Sequence, residues 1–430
     1  MDYRLVRQSS GWLYLVFHPL VHLTYRLLFR KIYLHNRQGV KANTPVLIAA
    51  NHPTAFIDPI FFCIFFDPPV YNMTRGDIFR KPFFRKLLES VNMFPVYRRR
   101  DGYEGRDRND EVFEYCRKKL LQGVAVNIFV EGEHHLDKRV LPAQKGIARI
   151  AFGTYERHPM DDLQIVPVGC NYIFGDRSRD EAKVIVGAPV FVKDYWPLYT
   201  QNQGAAIAQL CRDIEIALKK ICYHIENRDD DALAESLLSL WRNEHPTPFL
   251  PIVEHQAARF FAEKKILDQL NERSASEKKE LKKRVDAYQN ALKNAGLDDD
   301  ALLRPEWGSA WRILGLAIAA PVAAVGFLAG APVRYLSRYL TKKVVKKAEF
   351  YTSVLMGLAT MLGIVYVLIL LCLAWLFDWS WLVMIALLLP VLVWVSIFWK
   401  ESLLRWNAAR KAAVHSAKNE LLRLRALCRM

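Results

Sequence analysis

The chain has 430 residues, 52% of them hydrophobic and 12% aromatic, with 60 Lys and Arg against 44 Asp and Glu, a net charge of +16 at pH 7. That length suits two or three folding units, and the positive excess calls for a polyanionic partner, either nucleic acid or anionic lipid. No groove-reading or stacking module accompanies the charge, which argues against nucleic acid, while 11 Trp and a mean hydropathy of +0.02 point to lipid. The cysteines (Cys63, Cys116, Cys170, Cys211, Cys222, Cys372 and Cys428) are odd in number and lack Cys-x-x-Cys spacing, so they read as free thiols facing a reducing cytosol.

Residues 1–32 open with Arg4 and Arg7, then the apolar run Gly11–Phe17, continuing through Pro19 to Leu27-Leu28-Phe29 and Arg30-Lys31. Pro19, His22 and Arg26 interrupt the run and no small-residue cleavage pattern follows, so an interfacial membrane helix is expected rather than a signal peptide. Strands are expected near Val46–Ala49, Val70–Met73, Val124–Phe129, Ile165–Cys170 and Val184–Val186, and helices near Lys81–Ser90, Glu111–Leu121 and Ile147–Glu156. This alternation over residues 33–200 predicts an α/β catalytic domain, a mixed sheet flanked by helices with its site at strand ends.

The first strand runs into Asn51-His52-Pro53-Thr54-Ala55-Phe56-Ile57-Asp58. An imidazole and a carboxylate at one sheet rim can activate a hydroxyl: the His takes the proton, and the Asp holds the tautomer and stabilises the imidazolium. The alternative for Asp58 is an acid in the first turn of a helix, favoured by the macrodipole. A second block, Phe129-Val130-Glu131-Gly132, and a third, Val166-Pro167-Val168, carry matching punctuation. Arg98 follows Phe94-Pro95-Val96-Tyr97 and offers a bidentate phosphate contact. Glu131 is expected to accept from a substrate hydroxyl or to fix a basic side chain such as Lys145. Gly132 either lets backbone N–H groups approach a ligand or is an ordinary turn glycine. His134 or His135 is expected to line the substrate site, and Lys145, at a helix start, either completes an anion site or is a solvated loop lysine. Two adjacent His without further ligands at zinc spacing predict no metal.

In this order the blocks resemble the glycerolipid acyltransferase superfamily, whose members move a fatty acyl group from a coenzyme A or acyl-carrier-protein thioester to glycerol-3-phosphate or a lysophospholipid. The resemblance covers roughly residues 30–195. Five residues separate His52 from Asp58, and His52-Pro53-Thr54-Ala55-Phe56-Ile57-Asp58-Pro59 is similar to the pattern of the subgroup that includes the fungal dual-substrate glycerol-3-phosphate acyltransferases. Val130 stands where the family motif has Pro. The resemblance implies direct transfer without an acyl-enzyme and no bound cofactor. The co-substrate is then acyl-CoA or acyl-ACP (acyl carrier protein), and the acceptor is glycerol-3-phosphate or 1-acylglycerol-3-phosphate (lysophosphatidate). The competing class is a non-catalytic lipid-binding or scaffold protein that retains the fold. A hydrolase is disfavoured because no Gly-x-Ser-x-Gly elbow is present.

Residues 201–310 read as wholly helical, with segments Ala205–Ile225, Asp229–Trp241, Glu254–Asn271 and Ser276–Ala295. Over 311–400, three apolar stretches approach the roughly 20 residues that span a bilayer: Ile313–Val333, Val354–Phe377 and Trp381–Trp399. The last two, split by Asp378-Trp379-Ser380, predict a transmembrane hairpin whose basic flanks, Arg334–Lys347 and the tail 401–430, lie in the cytoplasm together with the catalytic domain. A single crossing by Ile313–Val333 would put the catalytic domain and the following basic loop on opposite sides. A re-entrant or interfacial element rich in Gly and Pro is therefore expected there, with a simple third span as the alternative.

Overall fold

The computed structural model describes residues 12–67, 70–76, 79, 82–96 and 105–429. The chain divides into two compact units, one of residues up to His224 with 250–258 and 345–356, the other of 225–249, 259–344 and 357 onward.

In the first unit, helix α1 (Trp12–Leu28) runs without a break into strand β1 (Phe29–His35). Then follow β2 (Val46–Ala50), α2 (Ile57–Phe65), β3 (Tyr71–Arg75), α3 (Pro82–Ser90), β4 (Met93–Val96), α4 (Gly105–Leu121), β5 (Val126–Phe129) and α5 (Gly146–Arg157). The unit continues with β6 (Gln164–Tyr172), β7 (Asp180–Val186), the short β8 (Val190–Phe191), α6 (Trp196–Gln201), α7 (Gln203–Ile221) and β9 (Val253–Glu254). The strands form one sheet in the order β4-β3-β5-β2-β6-β7-β1-β9, with β8 beside β6. It is mixed but mostly parallel, since only β6–β7 and β6–β8 pair antiparallel. All five residues of β2 are buried at its centre. Cover on both faces is why this strand reads as a continuous apolar run rather than an alternation. One face packs on Tyr25 and Phe29 and on the aromatic side of α2, Phe61, Phe62 and Phe65.

Pro167 sits inside β6, where a missing N–H normally costs a ladder bond. The N–H of Gln164 points to β2, bonding the carbonyl of Pro45. Alternation then turns position 167 away from β2, toward the side where β8 pairs only with residues 164–165 and β7 only with 168–172. The proline therefore occupies a gap in the ladder.

Three sequence expectations change in this unit. Arg30-Lys31, counted with the interfacial helix over residues 1–32, belong instead to β1, and Lys31 is fully buried, held by the carboxylate of Glu254 and, at 2.6 Å, the carbonyl of Pro251. The stretch read as helix from Glu254 instead starts with edge strand β9, and its helix α9 begins at Ala258 (Ala258–Glu272, counting α8 below). Residues 345–356, expected to lie outside the catalytic domain, belong to it.

The second unit is helical: α8 (Asp231–Glu244), most of α9, α10 (Ala275–Ala295), α11 (Asp299–Leu303), α12 (Ala310–Val344), most of α13 (Tyr351–Phe377), α14 (Ser380–Ala413) and α15 (Lys418–Ala426). A Ser274–Glu277 capping box starts α10 and Gly296 in the left-handed region, φ 63°, ends it. Three helices are long and apolar enough to cross a membrane, within Ala310–Val344, Ala348–Phe377 and Ser380–Ala413. The expected hairpin is present, as Leu370 and Ala374 pack on Leu382 and Ala386 across the Asp378-Trp379 turn.

Ile313–Val333 does not bend back on itself. It lies within α12, which runs antiparallel along α14: Gly308 lies against Arg410, Trp399 Nε1 donates to Leu316 O at 2.7 Å, and Gly326 lies against Leu392 and Ser396. The segment is one continuous helix, with Pro321 and Pro332 inside it. The small residues there serve close helix packing instead. At 1.5 Å per residue α14 is about 51 Å long, so it extends well past a bilayer core. The expected basic tail is helical too, with Arg425 buried between Asp299 at 2.6 Å and Glu244.

A Cβ on Gly326 would lie 2.1 Å from the carbonyl oxygen of Leu392, whereas one on Gly315 would meet nothing within 4 Å. Gly326→Leu is expected to destabilise by about 1–3 kcal/mol, and Gly315→Leu to be close to neutral. Thermal unfolding of the two variants in detergent compares them directly.

Candidate active site

The loop after β2 holds the candidate catalytic pair. His52 Nδ1 lies 2.9 Å from Asp58 Oδ2, and with Asp58 ionised that nitrogen carries the proton and leaves Nε2 as the basic atom. Asp58 is fully buried in the first turn of α2, so its charge needs partners. It has four donors. Besides His52 they are the Thr54 N–H at 2.8 Å, the Thr54 hydroxyl at 2.8 Å and the Tyr172 hydroxyl at 2.6 Å. The bland alternative, a first-turn acid, describes its place on α2 but not this set of side-chain donors. Burial first, and then the charge of Asp58, push Tyr172 and Tyr25 well above the usual tyrosine range, so both remain protonated donors. Tyr25 donates to the carbonyl of Ile57 at 2.6 Å and fixes the first turn of α2.

The strand end itself is clamped. Asn51 spans to β6, accepting from Cys170 N at 2.7 Å and donating to Cys170 O at 3.0 Å. Phe129, at the end of β5, stacks on the His52 ring with centroids 3.8 Å apart and planes 11° from parallel. Val130, where the resembled motif has Pro, donates its N–H to Ala50 O at 3.0 Å and extends the β2–β5 pairing, a bond proline could not make.

Glu131 is buried, and it accepts from the backbone N–H of His52 at 3.2 Å and of Leu141 at 3.0 Å, with His135 Nε2 at 3.3 Å. The basic side chain beside it is thus His135, and its other partners are backbone amides of the loops around His52 and Leu141. Gly132 adopts φ 75° and gives its N–H to Phe129 O at 3.2 Å, which makes it the turn glycine of the two readings. The N–H of His135 donates to His52 O at 3.2 Å, so this loop grips His52 through its backbone as well. Lys145 is exposed at the N-terminus of α5, on the side of Cys211. Arg98 lies outside the described residues.

Thr54, Tyr172, Asn51 and Tyr25 were not singled out from sequence. Tyr172 carried one usable signal: it shares a face of β6 with Val168 and Cys170, and it is the polar-tipped residue at the end of that buried row.

Residues 31–171 match the protein family described as Acyltransferase. These residues are an acyltransferase domain. The chain is 34% identical over 144 residues to an uncharacterized acyltransferase of Schizosaccharomyces pombe, an overlap of 33% of this chain and 21% of that protein. It is 24% identical over 248 residues to Glycerol-3-phosphate O-acyltransferase 1 of Saccharomyces cerevisiae, covering 55% of this chain and 32% of the relative. With Glycerol-3-phosphate O-acyltransferase 2 of the same yeast it shares 26% over 204 residues, 47% of this chain and 27% of the relative. The aligned part is therefore under a third of each relative's length. The acyltransferase domain contains His52, Asp58 and Glu131, and ends one residue short of Tyr172.

Two outcomes follow for this site. Tyr172→Phe removes one donor from a buried carboxylate and is expected to cost about 1–3 kcal/mol, read from urea unfolding. For His135, burial alone would lower the pKa, but the hydrogen bond and charge of Glu131, helped by Asp137, raise it above the ordinary 6.5. A raised folded-state pKa means that the protonated form contributes stability below pH 6.5, and that this is lost as pH rises through the folded value. The stability gap between wild type and His135→Gln should be largest in acid and close at alkaline pH. A gap independent of pH would show that His135 does not titrate against Glu131.

Proposed function

We propose that this chain is a membrane O-acyltransferase of glycerophospholipid synthesis that moves a fatty acyl group from a thioester donor, acyl-CoA or acyl-ACP, to glycerol-3-phosphate. The observation that carries the reading is the His52–Asp58 pair, a part-exposed imidazole 2.9 Å from a fully buried carboxylate at the end of the central strand. His52 Nε2 takes the proton of the acceptor hydroxyl as its oxygen attacks the thioester carbonyl. The tetrahedral intermediate expels the thiolate, which takes that proton back from His52 as the new ester forms. Asp58 holds the ring and offsets the imidazolium charge. A scaffold that only bound lipid would have no use for a carboxylate given four donors beneath an imidazole.

Glycerol-3-phosphate is favoured over lysophosphatidate as acceptor by the five-residue spacing between His52 and Asp58 and by the names of the two budding-yeast relatives. Arg98 is assigned to the acceptor phosphate on its place in the motif order, with Lys145 as a second cation. His135 acts through Glu131 on the catalytic loop, and Gly132 shapes the turn beside it. The three long apolar helices support attachment to a membrane. The basic residues following α14 in sequence, together with a need for cytosolic thioesters, place the catalytic unit on the cytoplasmic side in this proposal.

Acyl transfer in liposomes from labelled acyl-CoA, with glycerol-3-phosphate and lysophosphatidate offered separately, tests the reading. His52→Ala and Asp58→Asn should each lower turnover by about 10²–10⁴-fold without loss of the folded state. Transfer only to lysophosphatidate would move the chain to the second acylation. If neither acceptor is used with acyl-CoA or acyl-ACP, the scaffold reading stands.

A further inference from the structure

The surroundings of His52 include a residue far from the acyltransferase domain in sequence. His134 stands edge-on to the His52 ring at 5.7 Å, and Phe350 stands edge-on to His134 at 4.8 Å. Phe56, in the loop between His52 and Asp58, lies 6.3 Å from Phe350. Phe350 belongs to residues 345–356, which are part of the catalytic unit, and it directly precedes the apolar α13.

Three anchors on this short segment hold it against the catalytic loop. Ser353 Oγ accepts the N–H of Phe56 at 3.0 Å. The Thr352 hydroxyl donates to Gly175 O at 2.9 Å. Met356 is buried in the core cluster that contains Phe61 and Phe62. Gly175, at φ +77°, is itself packed tightly beside the site, since a Cβ there would lie 2.7 Å from Leu136 and 3.3 Å from Thr54. Phe350 is consequently set in place by its neighbours in sequence while its own ring remains partly exposed.

Several sides of His52 are already taken: Phe129 covers one face of the ring, Asp58 holds the Nδ1 edge, and Glu131 and His135 grip the backbone. An acyl donor has to bring its carbonyl carbon to the hydroxyl that His52 deprotonates, and its chain begins at that carbon. Apolar surface must therefore lie within a ring or two of the imidazole. Phe350 meets that requirement, and the chain beyond it continues as an apolar helix.

We propose that Phe350 is a specificity-determining residue, the wall against which the first carbons of the donor's acyl chain lie, with Ser353 and Thr352 as its positioning residues. The proposal rests on the acyl-transfer reading and deepens it by giving part of the donor site to a segment well outside residues 31–171.

The test compares wild type, Phe350→Ala and Phe350→Trp on straight-chain acyl-CoA and on acyl-CoA with a methyl branch near the thioester, after unfolding temperatures have shown all three to be folded. Phe350→Ala should raise kcat/KM for the branched donor relative to the straight one by about tenfold, the scale of one methyl group in an apolar pocket. Phe350→Trp should shift the ratio the other way, with the KM for glycerol-3-phosphate unchanged in both. A donor ratio identical in all three folded proteins would overturn the proposal. A second readout is independent of turnover: an acyl-CoA with a photoreactive group on its proximal carbons should label the peptide containing residues 345–356, and labelling confined to other peptides would overturn it. Wild type without transfer to either acceptor would sink the enzymatic reading itself, and the labelled peptide would still decide where an acyl chain binds.

Discussion

A carboxylate with no access to water, at the start of α2, is the constraint around which the catalytic unit is arranged. Removing a charge from water costs several kcal/mol unless every lone pair finds a donor. Asp58 meets that requirement with two bonds from Thr54, one from Tyr172 and one from His52. Each donor comes with a demand on the fold. Thr54 requires the loop to turn so that both its N–H and its hydroxyl face α2. Tyr172 requires β6 to run on past the end of β2. His52 requires β2 to stop where it does. The functional geometry is thus the solution to an electrostatic problem, and a shift in any of the three elements would strand a buried charge.

The backbone of His52 is fixed with comparable thoroughness. Its N–H is tied to Glu131 and its carbonyl to the N–H of His135, while Asn51 just before it straddles Cys170 on β6 with one donor and one acceptor. Parallel strands leave their carboxyl ends unpaired where the neighbouring loops diverge, and these side chains replace the ladder bonds that the sheet no longer supplies. Glu131 stands in for strand pairing at the end of β2. Such a role needs a buried acid with inward-facing oxygens, and its exposure of 4% agrees.

What could be read from sequence was whatever is local. The buried strands β2, β5 and β6 announce themselves as short apolar runs, and the hairpin of α13 and α14 as two long ones. His52 and Asp58 are close enough in the chain for one turn to bring them together. What escaped was whatever depends on distant partners. Arg30-Lys31 reads with the interfacial helix because nothing nearby reveals Glu254, 223 residues later, which neutralises Lys31. Ile313–Val333 looked bent because Gly and Pro weaken an isolated helix. In the fold the glycines instead let α14 approach, as the contact of Gly326 with Leu392 makes plain. Nothing near Glu131 in the chain reveals that the amides of His52 and Leu141 lie against its carboxylate.

The catalytic unit is discontinuous in the chain, and the discontinuity has a physical consequence. Residues 250–258 supply the last strand of the sheet and the counter-charge of Lys31, and residues 345–356 supply partners for Phe56 N–H and Gly175 O. A chain ending at the boundary of the matched domain would leave Lys31 buried without its carboxylate, a loss far larger than that of a surface ion pair. It would also open the core where Met356 packs. Ser353 and Thr352, in the first turn of α13, bond the loop carrying His52 at Phe56 and the turn at Gly175, so these contacts lie wholly within the first unit.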